Sequence, residues 1–332
     1  MNKSVNKSVN KSEVMSKQLN QTGKVGVLFG GDSAERAISL RSGNEVLKAL
    51  VDAGVNAIGI DVTFDETLFT QLAGIDTAFI VLHGRGGEDG VIQSVLEVME
   101  IPYTGSGVLA SALGMDKSRT KRLWLGSNLP TPDFVEVSEE RDLVGIFERL
   151  GGNIMVKPAR EGSSIGMSHV TTEENLYQAF AKAKIHDDSI LLERWIEGPE
   201  FTCAILNGAA LPVIQLVTQN DFYDFEAKYE SNDTEYLCPC GLSEDQEAEF
   251  KALAQTAFAA VGCEGWGRVD AMMDEDGKFW LLEVNTVPGM TDHSLVPMAA
   301  KAAELDMQKL VVSILNGIGL DSVGLDSKSD NA

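Results

Sequence analysis

The order of hydrophobic and polar positions predicts short strands that alternate with helices over most of the chain. An apolar run at 24–29 ends in the glycine pair 30–31, and a helical pattern follows over 32–50. The same order returns with a strand at 77–82, a glycine-rich loop and a helix at 91–100. Alternation of this kind is typical of an α/β domain with a parallel sheet.

A second module begins after Pro130 and Pro132, which break the chain. Its pattern reads as β-α-β-β, followed by a helix, a strand and a second helix. The hairpin described next comes after these elements, and a final helix follows it. The predicted elements are strands at 134–137, 153–157, 167–170 and 189–196 and helices ending at 150, 261 and 315. Asp116, Thr171 with Glu174, and Ser243 with Gln246 fit helix N-terminal caps.

The segment 265–290 predicts a β-hairpin. Two runs rich in Val, Phe, Trp and Leu flank Asp276-Gly277, and an Asp-Gly pair in that position is a strong signal for a two-residue hairpin turn. The register that follows places polar residues opposite one another on the two strands. A turn two residues wider would shift the partners but keep their common face.

That register pairs Asp270 with Glu283 and Arg268 with Asn285, all on one face of the hairpin. Adjacent carboxylates repel unless a cation lies between them. Carboxylate and amide oxygens are ligands of the type that holds Mg²⁺. The alternative is a solvated polar face of an edge hairpin, and the combination of three oxygen donors with an arginine favours the metal site.

Composition narrows the function classes. The chain has 332 residues, 44% of them hydrophobic, which suits roughly two to three packed domains. Its 50 acidic and 27 basic residues give a net charge of −23, which argues against nucleic-acid and membrane binding. We therefore expect any phosphate ligand to meet locally placed lysines and arginines.

The four cysteines form no Cys-x-x-Cys pair, which argues against zinc and disulfides and favours reduced thiols. No apolar run reaches the roughly 18 residues of a membrane span, and the N-terminus lacks a signal-peptide core. The sequence thus predicts a cytoplasmic protein. The polar repeat at 1–22 predicts a disordered tail.

The segment 157–166 allows two interpretations. Lys157 precedes a turn of glycine and serine, which can fold over phosphates through backbone N–H groups and one point charge. The letters Gly162 to Gly166 also match a hydrolase nucleophile elbow around Ser164, with His293 downstream. Because the next segment reads as a strand and not as the required helix, the elbow is disfavoured.

Several other residues allow a structural and a functional interpretation. Glu35 either caps its own helix with Asp32 or contacts a ligand's ammonium group at the carboxyl end of a sheet. His83 is either a buried structural histidine or a ligand contact. Residues 105–110 match the dinucleotide fingerprint, but no clear strand precedes them and no ribose acid follows.

Two further segments suit a ligand. The strand end at Glu193 and the nearby Glu200 suit ribose hydroxyls, although a solvated linker is the alternative. The polar segment 219–240 is long for a loop, and its Glu226 to Tyr229 suit an active-site cover.

Eight motifs together resemble the D-alanine:D-alanine ligase family of the ATP-grasp superfamily. They are, in order, GGDSAERAISLRSG, LHGRGGEDG, MDKSRTK, VKPAREGSSIGMS, ERWIEGPEFT, DFEAKY, GRVDAM and LEVNTVPGMTDHS, and the resemblance runs over about 24–317. It implies an α/β protein with α+β elements, an N-terminal open parallel-sheet domain and two sheets that clamp ATP. The implied boundaries are tails at 1–22 and 321–332, an N-terminal domain at 23–105 that binds the first D-alanine, a central domain at 106–195 and a C-terminal catalytic domain at 196–320.

The resemblance also implies a reaction. ATP phosphorylates the carboxylate of one D-alanine, and the amine of a second D-alanine attacks the acyl phosphate to give a dipeptide for peptidoglycan. By the same resemblance the enzyme works in the cytoplasm as a homodimer, with ATP and D-alanine as substrates and two Mg²⁺ ions, for which Mn²⁺ can substitute.

The family's functional residues carry over to matching positions. The ATP contacts would be Lys117, Lys157, Lys228, Glu193, Arg194, Ile196 and Glu200, and the metal ligands Asp270, Glu283 and Asn285. The D-alanine contacts would be Glu35, His83, Ser294 and the Leu295 amide, with Arg268 and the Gly289 amide at the oxyanion and Ser163 and Tyr229 closing a lid on Glu35. Three features depart from the family's pattern: the N-terminal tail, Arg194 where lysine is frequent, and Cys240 in CPCGL.

Overall fold

Three β-sheets, each packed against helices, make up the part of the chain that the computed structural model describes, residues 23–218 and 234–318. The first sheet is parallel and has the order β2-β1-β3, with β1 (Val25–Gly30), β2 (Ala57–Val62) and β3 (Thr77–Ile80). Every residue of β1 and β3 is buried, because helices cover a parallel sheet on both faces. The predicted strand-turn-helix order is confirmed here.

The helices of this first unit are α1 (Arg36–Asp52), α2 (Leu68–Leu72) and α3 (Val91–Val98). Two further helices, α4 (Val108–Met115) and α5 (Lys117–Gly126), lead to the second sheet. The predicted cap of α5 is confirmed, since the Asp116 side chain accepts a hydrogen bond of 3.0 Å from the Arg119 backbone N–H.

The second sheet is antiparallel, with the order β4-β7-β5-β6. Its strands are β4 (Phe134–Val137), β5 (Ile154–Pro158), β6 (Ser168–Val170) and β7 (Ile190–Arg194), and its helices are a 3₁₀ turn (Glu140–Leu143), α6 (Ile146–Arg149) and α7 (Glu173–Lys184). The capping box predicted at Thr171 and Glu174 is wrong. Thr172 is the N-cap of α7 and its side chain caps nothing, while two glutamates in the first turn favour the positive end of the helix dipole.

The third sheet contains the hairpin. Its strands are β8 (Glu200–Leu206), β9 (Ala209–Ala210), β10 (Ile214–Val217), β11 (Glu235–Leu237), β12 (Trp266–Met273) and β13 (Phe279–Asn285), in the order β11-β10-β8-β12-β13 with β9 beside β8. The helix α8 (Glu244–Val261) has the predicted capping box between Ser243 and Gln246 and ends at Gly262 with φ of 81°.

The hairpin turn differs from the prediction. The turn holds three residues, 275–277, and Gly277 adopts φ of 80° as its last residue. A β-bulge between Asp270 and Ala271 on β12 then leaves Leu282 of β13 as an extra residue. The wider turn and the bulge cancel, so the predicted pairs of Arg268 with Asn285 and of Asp270 with Glu283 are both observed.

The single final helix predicted up to Leu315 is wrong. The chain forms α9 (Leu295–Ala302) and α10 (Met307–Asn316), because Glu304 takes φ of 62° and Asp306 caps a new helix. The second of these helices shares a hydrophobic core with the first sheet and packs against α1. This return brings the loop after β13 next to the N-terminal unit.

The domain boundaries given above remain predictions, and the predicted tails lie outside the described residues. No helix in 23–218 or 234–318 combines the length and the apolar composition that a bilayer crossing requires.

Candidate active site

Two clefts meet at the hairpin. The sheet cleft, of about 330 Å³, lies between the second and third sheets and is lined by Lys117, Lys157, Glu193, Glu200, Asp270 and Glu283, among others. The loop cleft, of about 590 Å³, is lined by Glu35, His83, Ser163, Arg268, Asn285, Gly289 and Ser294, among others. Glu283 borders both clefts, so a group bound in one can reach a group bound in the other.

Asp270 is the centre of a hydrogen-bond network on the hairpin face. Arg268 donates to its two oxygens at 2.8 and 2.7 Å, and the Asn285 amide donates at 3.0 Å. The Thr202 hydroxyl on the neighbouring strand β8 donates at 2.5 Å. The alternation that predicted a common polar face for Arg268, Asp270, Glu283 and Asn285 therefore brings donors and acceptors into direct contact.

Glu283 pairs with a lysine from a different unit. The Lys117 ammonium lies 3.3 Å from its Oε2 and donates to the Glu161 carbonyl at 2.7 Å. Lys117 is the first residue of α5, and its backbone N–H donates to the Ala159 carbonyl at 2.9 Å. The helix start thus fixes a cation between the hairpin and the glycine-serine turn.

A buried ion triad lies on the wall of the sheet cleft. The Lys157 ammonium donates to Glu193 at 2.9 Å, and the Lys121 ammonium pairs with the other oxygen of that carboxylate. Burial alone would raise the pKa of Glu193, but the two ammonium groups outweigh it and hold that pKa below its ordinary value. Burial lowers the pKa of Lys121 to about 8, against the opposing effect of Glu193.

The sheet cleft also has an apolar part. It is lined by Met155, Ile165, Met167, Ile196, Pro199, Leu216, Met272 and Leu282. The Arg194 guanidinium lies 4.8 Å from the Trp280 ring centroid, and Trp195 stacks on His169 with centroids 3.9 Å apart. This part of the cleft suits a planar aromatic group, while the lysine end suits anions.

Glu35 faces the loop cleft and does not cap its helix with Asp32. It is the N-cap residue of α1 but makes no side-chain cap, so the capping-box interpretation is wrong. Its carboxylate accepts a hydrogen bond from the Ser163 hydroxyl instead. A Cβ at Gly84 or at Gly162 would lie 2.7 Å from the same carboxylate, so only glycine fits there without displacement.

His83 is buried and fully engaged. Its Nδ1 lies 2.9 Å from the Val287 carbonyl and its Nε2 lies 3.2 Å from the Ser42 hydroxyl. Burial alone would lower the pKa of His83, but Glu88, 3.6 Å from Nδ1, outweighs it, and the pKa is raised. Burial, helped by the charge of Glu35, also raises the pKa of Glu88.

The start of α9 closes the loop cleft. Ser294 is its N-cap residue, and its hydroxyl accepts from the Thr291 backbone N–H at 3.0 Å. A Cβ at Gly289 would lie 2.9 Å from the Ser294 hydroxyl, so a glycine is needed for this approach. Leu295 is the first helical residue, where backbone N–H groups lack helical partners and favour anions.

The donor set on the hairpin fits a divalent cation. Among the residues that the structure describes, no three His, Cys, Asp or Glu side chains cluster as metal ligands, so the candidate set is two carboxylates and the Asn285 amide. Each carboxylate is neutralised by a side-chain cation, Asp270 by Arg268 and Glu283 by Lys117. Mg²⁺ commonly takes one or two carboxylates and completes its shell with water and phosphate.

The described structure does not support the hydrolase nucleophile elbow at Ser164 or the dinucleotide fingerprint at 105–110. The turn at Ser163 and Ser164, both with positive φ, leads into strand β6 as predicted, and the His293 side chain is 88% exposed. The dinucleotide fingerprint needs a strand directly before its glycines. Here residues 105–107 follow a single isolated bridge at Tyr103 and lead into helix α4.

Sequence reasoning missed three residues: Glu88 and Glu161, which line the clefts, and the buried Lys121, which pairs with Glu193. Lys121 follows Lys117 by one helical turn, a spacing that puts both on one face and could have indicated it. Glu226, Lys228 and Tyr229 lie outside the described residues, so the cover predicted there stays a prediction.

The sequence matches two family models. One, described as D-ala D-ala ligase C-terminus, matches residues 123–316, and one described as D-ala D-ala ligase N-terminus matches residues 63–106. D-alanine--D-alanine ligase B of Pseudomonas syringae pv. tomato is 57% identical over 293 residues, covering 88% of this chain and 92% of the relative. D-alanine--D-alanine ligase of Hydrogenovibrio crunogenus is 56% identical over 310 residues, covering 91% and 99%.

Solved structures of ligases also superpose on this chain. D-alanine--D-alanine ligase from Bacillus anthracis complexed with ATP superposes with a TM-score of 0.79 at 31% identity, covering 89% of this chain and 97% of that one. VanG D-Ala:D-Ser ligase from Enterococcus faecalis superposes with a TM-score of 0.78 at 28% identity, covering 89% and 99%.

Proposed function

The chain belongs to the D-ala D-ala ligase family, and on this premise we propose that it joins two D-alanines with ATP, releasing ADP and phosphate. The observation that carries the proposal is that the sheet cleft and the loop cleft share Glu283. A nucleotide and an amino acid held on its two sides can bring a γ-phosphate against a carboxylate. The product, D-alanyl-D-alanine, serves peptidoglycan synthesis.

Two steps connect the substrates. A bare carboxylate is a poor electrophile, so an oxygen of the first D-alanine attacks the γ-phosphorus of ATP, and ADP leaves. The deprotonated amine of the second D-alanine then attacks the acyl carbon, and phosphate leaves. Water would hydrolyse the acyl phosphate, so a closed cleft protects it.

The sheet cleft suits ATP along its length. Lys117 and Lys157 lie at its polar end, where they face the phosphates. We assign Glu193, Arg194, Ile196 and Glu200 to the adenosine, beside the apolar part of the cleft lining. The net charge of −23 makes such local cations necessary.

Asp270, Glu283 and Asn285 are the residues that would hold Mg²⁺, or Mn²⁺ in its place. When bound, the metal neutralises charge on the phosphoryl group that is transferred. We assign Arg268, which neutralises Asp270 here, to the developing oxyanion, and Lys117, which neutralises Glu283, to the phosphates of ATP.

The loop cleft suits two amino acids. Glu35 suits the ammonium of the first D-alanine, with Arg268 and the Gly289 amide assigned to the developing oxyanion, and His83 stays a predicted contact of that substrate. Ser294 and the Leu295 amide, at a helix start, suit the carboxylate of the second D-alanine.

The contact of Ser163 with Glu35 ties the glycine-serine turn to the N-terminal unit and supports a lid role for that turn. The lid tyrosine Tyr229 and the phosphate contact Lys228 keep the roles that the resemblance implies. We also propose a cytoplasmic reaction, which suits the four free thiols, and a homodimer.

The test is phosphate release from ATP and Mg²⁺ with D-alanine, with L-alanine and with no amino acid, with the product identified by mass spectrometry. We expect release with D-alanine alone and a D-alanyl-D-alanine product. D-serine and D-lactate as second substrates define specificity. Phosphate release that does not depend on D-alanine, or that yields no dipeptide, would refute the proposal.

A further inference from the structure

Lys121 is a fully buried lysine that lines neither cleft. Its ammonium pairs with Glu193, donates to the Thr131 hydroxyl at 2.6 Å and donates to the Leu281 carbonyl at 3.2 Å. A buried ammonium is costly unless it is paired and hydrogen-bonded, and all three of these contacts satisfy it.

Glu193, the carboxylate that Lys121 shares with Lys157, connects Lys121 to the sheet cleft. Glu193 accepts from Lys157 with one oxygen and from Lys121 with the other, so one carboxylate faces two ammonium groups. The triad therefore carries one net positive charge when all three groups are ionised. Lys157, which lines the sheet cleft, is the member that can direct this charge at a ligand.

Removal of the buried partner would change that balance. Without Lys121, the Glu193 carboxylate would pair with Lys157 alone, and the wall would become neutral. In a buried site an ion pair of this kind is hard to open, because water does not replace the lost partner. The Lys157 ammonium would then be held by Glu193 and no longer offered to an anion.

We propose that Lys121 is a positioning residue. It pairs with the Glu193 oxygen that Lys157 does not use, and so leaves the Lys157 ammonium available to the phosphates of ATP. The inference rests on the proposed function, since it assigns the lysine end of the sheet cleft to those phosphates. Lys121 does not touch the nucleotide. Its effect passes through Glu193 and Lys157.

Two further features support this role. Lys121 lies one turn after Lys117 on α5, so a single helix carries both the lysine that lines the sheet cleft and the buried lysine that pairs with Glu193. Its contacts with Thr131 and with Leu281 of β13 fix its ammonium against the third sheet while Glu193 lies on the second. With a pKa of about 8, the group remains largely protonated at neutral pH.

The experiment measures dissociation constants of ATP and of adenosine by calorimetry, for the full chain with Mg²⁺ and without D-alanine. The ratio of the adenosine to the ATP dissociation constant isolates the phosphate contribution. Lys121→Met should lower this ratio at least about tenfold, since one buried charge is lost near the phosphates. Arg122→Met, an exposed cation next to it on the same helix, is the matched control and should leave the ratio unchanged.

A second variant separates charge from structure. Lys121→Met combined with Glu193→Gln again leaves Lys157 without a carboxylate partner, so the ratio should return to near the wild-type value. This double variant also carries the test if Lys121→Met alone does not fold. An unchanged ratio in Lys121→Met, or a double variant that stays low, would overturn the inference. A wild-type protein that binds no ATP would instead refute the proposed function.

Discussion

The two clefts differ in how their polar groups are held. In the sheet cleft the groups lie on neighbouring strands, with Asp270 opposite Glu283 in the hairpin and Lys157 and Glu193 on the paired strands β5 and β7. In the loop cleft the contacts join distant segments, such as Ser163 with Glu35, which are 128 residues apart, and His83 with Val287, which are 204 residues apart. Strand pairing sets the first site, and the docking of separate units sets the second.

The two clefts also differ in charge. At the wall of the sheet cleft, Lys157 and the buried Lys121 share Glu193. Lys117 pairs with Glu283, so the cleft offers cations to a polyanion. In the loop cleft the buried Glu35 and the partly buried Glu88 both act on the buried His83. That acid-rich environment suits an ammonium group. The local charge of each cleft thus suits a different ligand, in a chain whose net charge of −23 opposes the binding of a polyanion.

The largest effect is expected at the residue that the two clefts share. Glu283→Gln removes one carboxylate charge where nucleotide and amino acid meet, and it leaves Lys117 without its ion pair. We expect kcat for ADP formation to fall by about a hundredfold or more. Steady-state kinetics with both substrates saturating measures this. Glu275→Gln, an exposed acid in the turn of the same hairpin, should keep wild-type kcat. Equal activity of the two variants would contradict a shared centre.

A substitution in the loop cleft should change KM for D-alanine much more than KM for ATP. Glu35→Gln keeps the shape of the side chain but removes its charge, so we expect KM for D-alanine to rise about tenfold to a hundredfold, the range of a charged hydrogen bond. KM for ATP should change less than about twofold, since the sheet cleft is untouched. Asp32→Asn, an exposed acid three residues earlier, is the control. A matching rise in both KM values would mean that the clefts are not separate.

The acids of the loop cleft also predict a pH effect on stability. His83 and Glu88 both have raised pKa values in the folded protein, so the folded state holds protons more tightly than the unfolded chain. The contribution of His83 is therefore present at low pH and is lost as pH rises through its raised pKa, above the ordinary value of 6.5. That of Glu88 is lost as pH rises through a pKa above the ordinary glutamate value of 4.5.

This effect can be measured by chemical denaturation of wild type and Glu88→Gln between pH 5.5 and about 8.5. In the variant, burial is the main influence left on His83 and lowers its pKa, so the slope with pH should become smaller or change sign. Glu97→Gln, an acid outside both clefts, is the control. Parallel pH profiles for wild type and Glu88→Gln would show that this pair does not control the slope.

The smallest effect is expected at the contact between the loops of the two clefts. Arg85 donates to the Glu161 carboxylate at 2.9 Å, but its side chain is 53% exposed. Exposed ion pairs contribute about 0 to 1 kcal/mol, so Arg85→Ala should change kcat/KM for either substrate less than about fivefold. The change should shrink at high salt. Arg122→Ala, which removes another exposed pair, should change neither value.

Local patterns in the sequence predicted what lies within one hairpin or one helix end. The face shared by Arg268, Asp270, Glu283 and Asn285 follows from alternation, and the caps at Asp116 and Ser243 follow from three-residue spacings. These features depend on neighbours in the sequence, and no distant packing opposes them.

Other features depend on packing that the local sequence does not specify. Glu35 has a partner within capping distance in sequence but meets Ser163 across the loop cleft instead. Lys121 looks like one more charge on a surface helix until the second and third sheets bury it. The break between α9 and α10 arises where the chain turns back to pack on the first unit, and an uninterrupted helical pattern conceals it.

The β-bulge at Leu282 has a consequence for how this hairpin tolerates change. It offsets the one residue by which the turn exceeds the shortest form, so Asp270 stays opposite Glu283. Residues 275 and 276 are exposed and lie beyond the last bonded pair of Asp274 with Lys278, so a residue inserted there lengthens the turn while that pair holds the register of Asp270 with Glu283. For protein engineering, the same two positions offer an attachment point for a fluorophore or an epitope in the turn between the two strands that carry the candidate site.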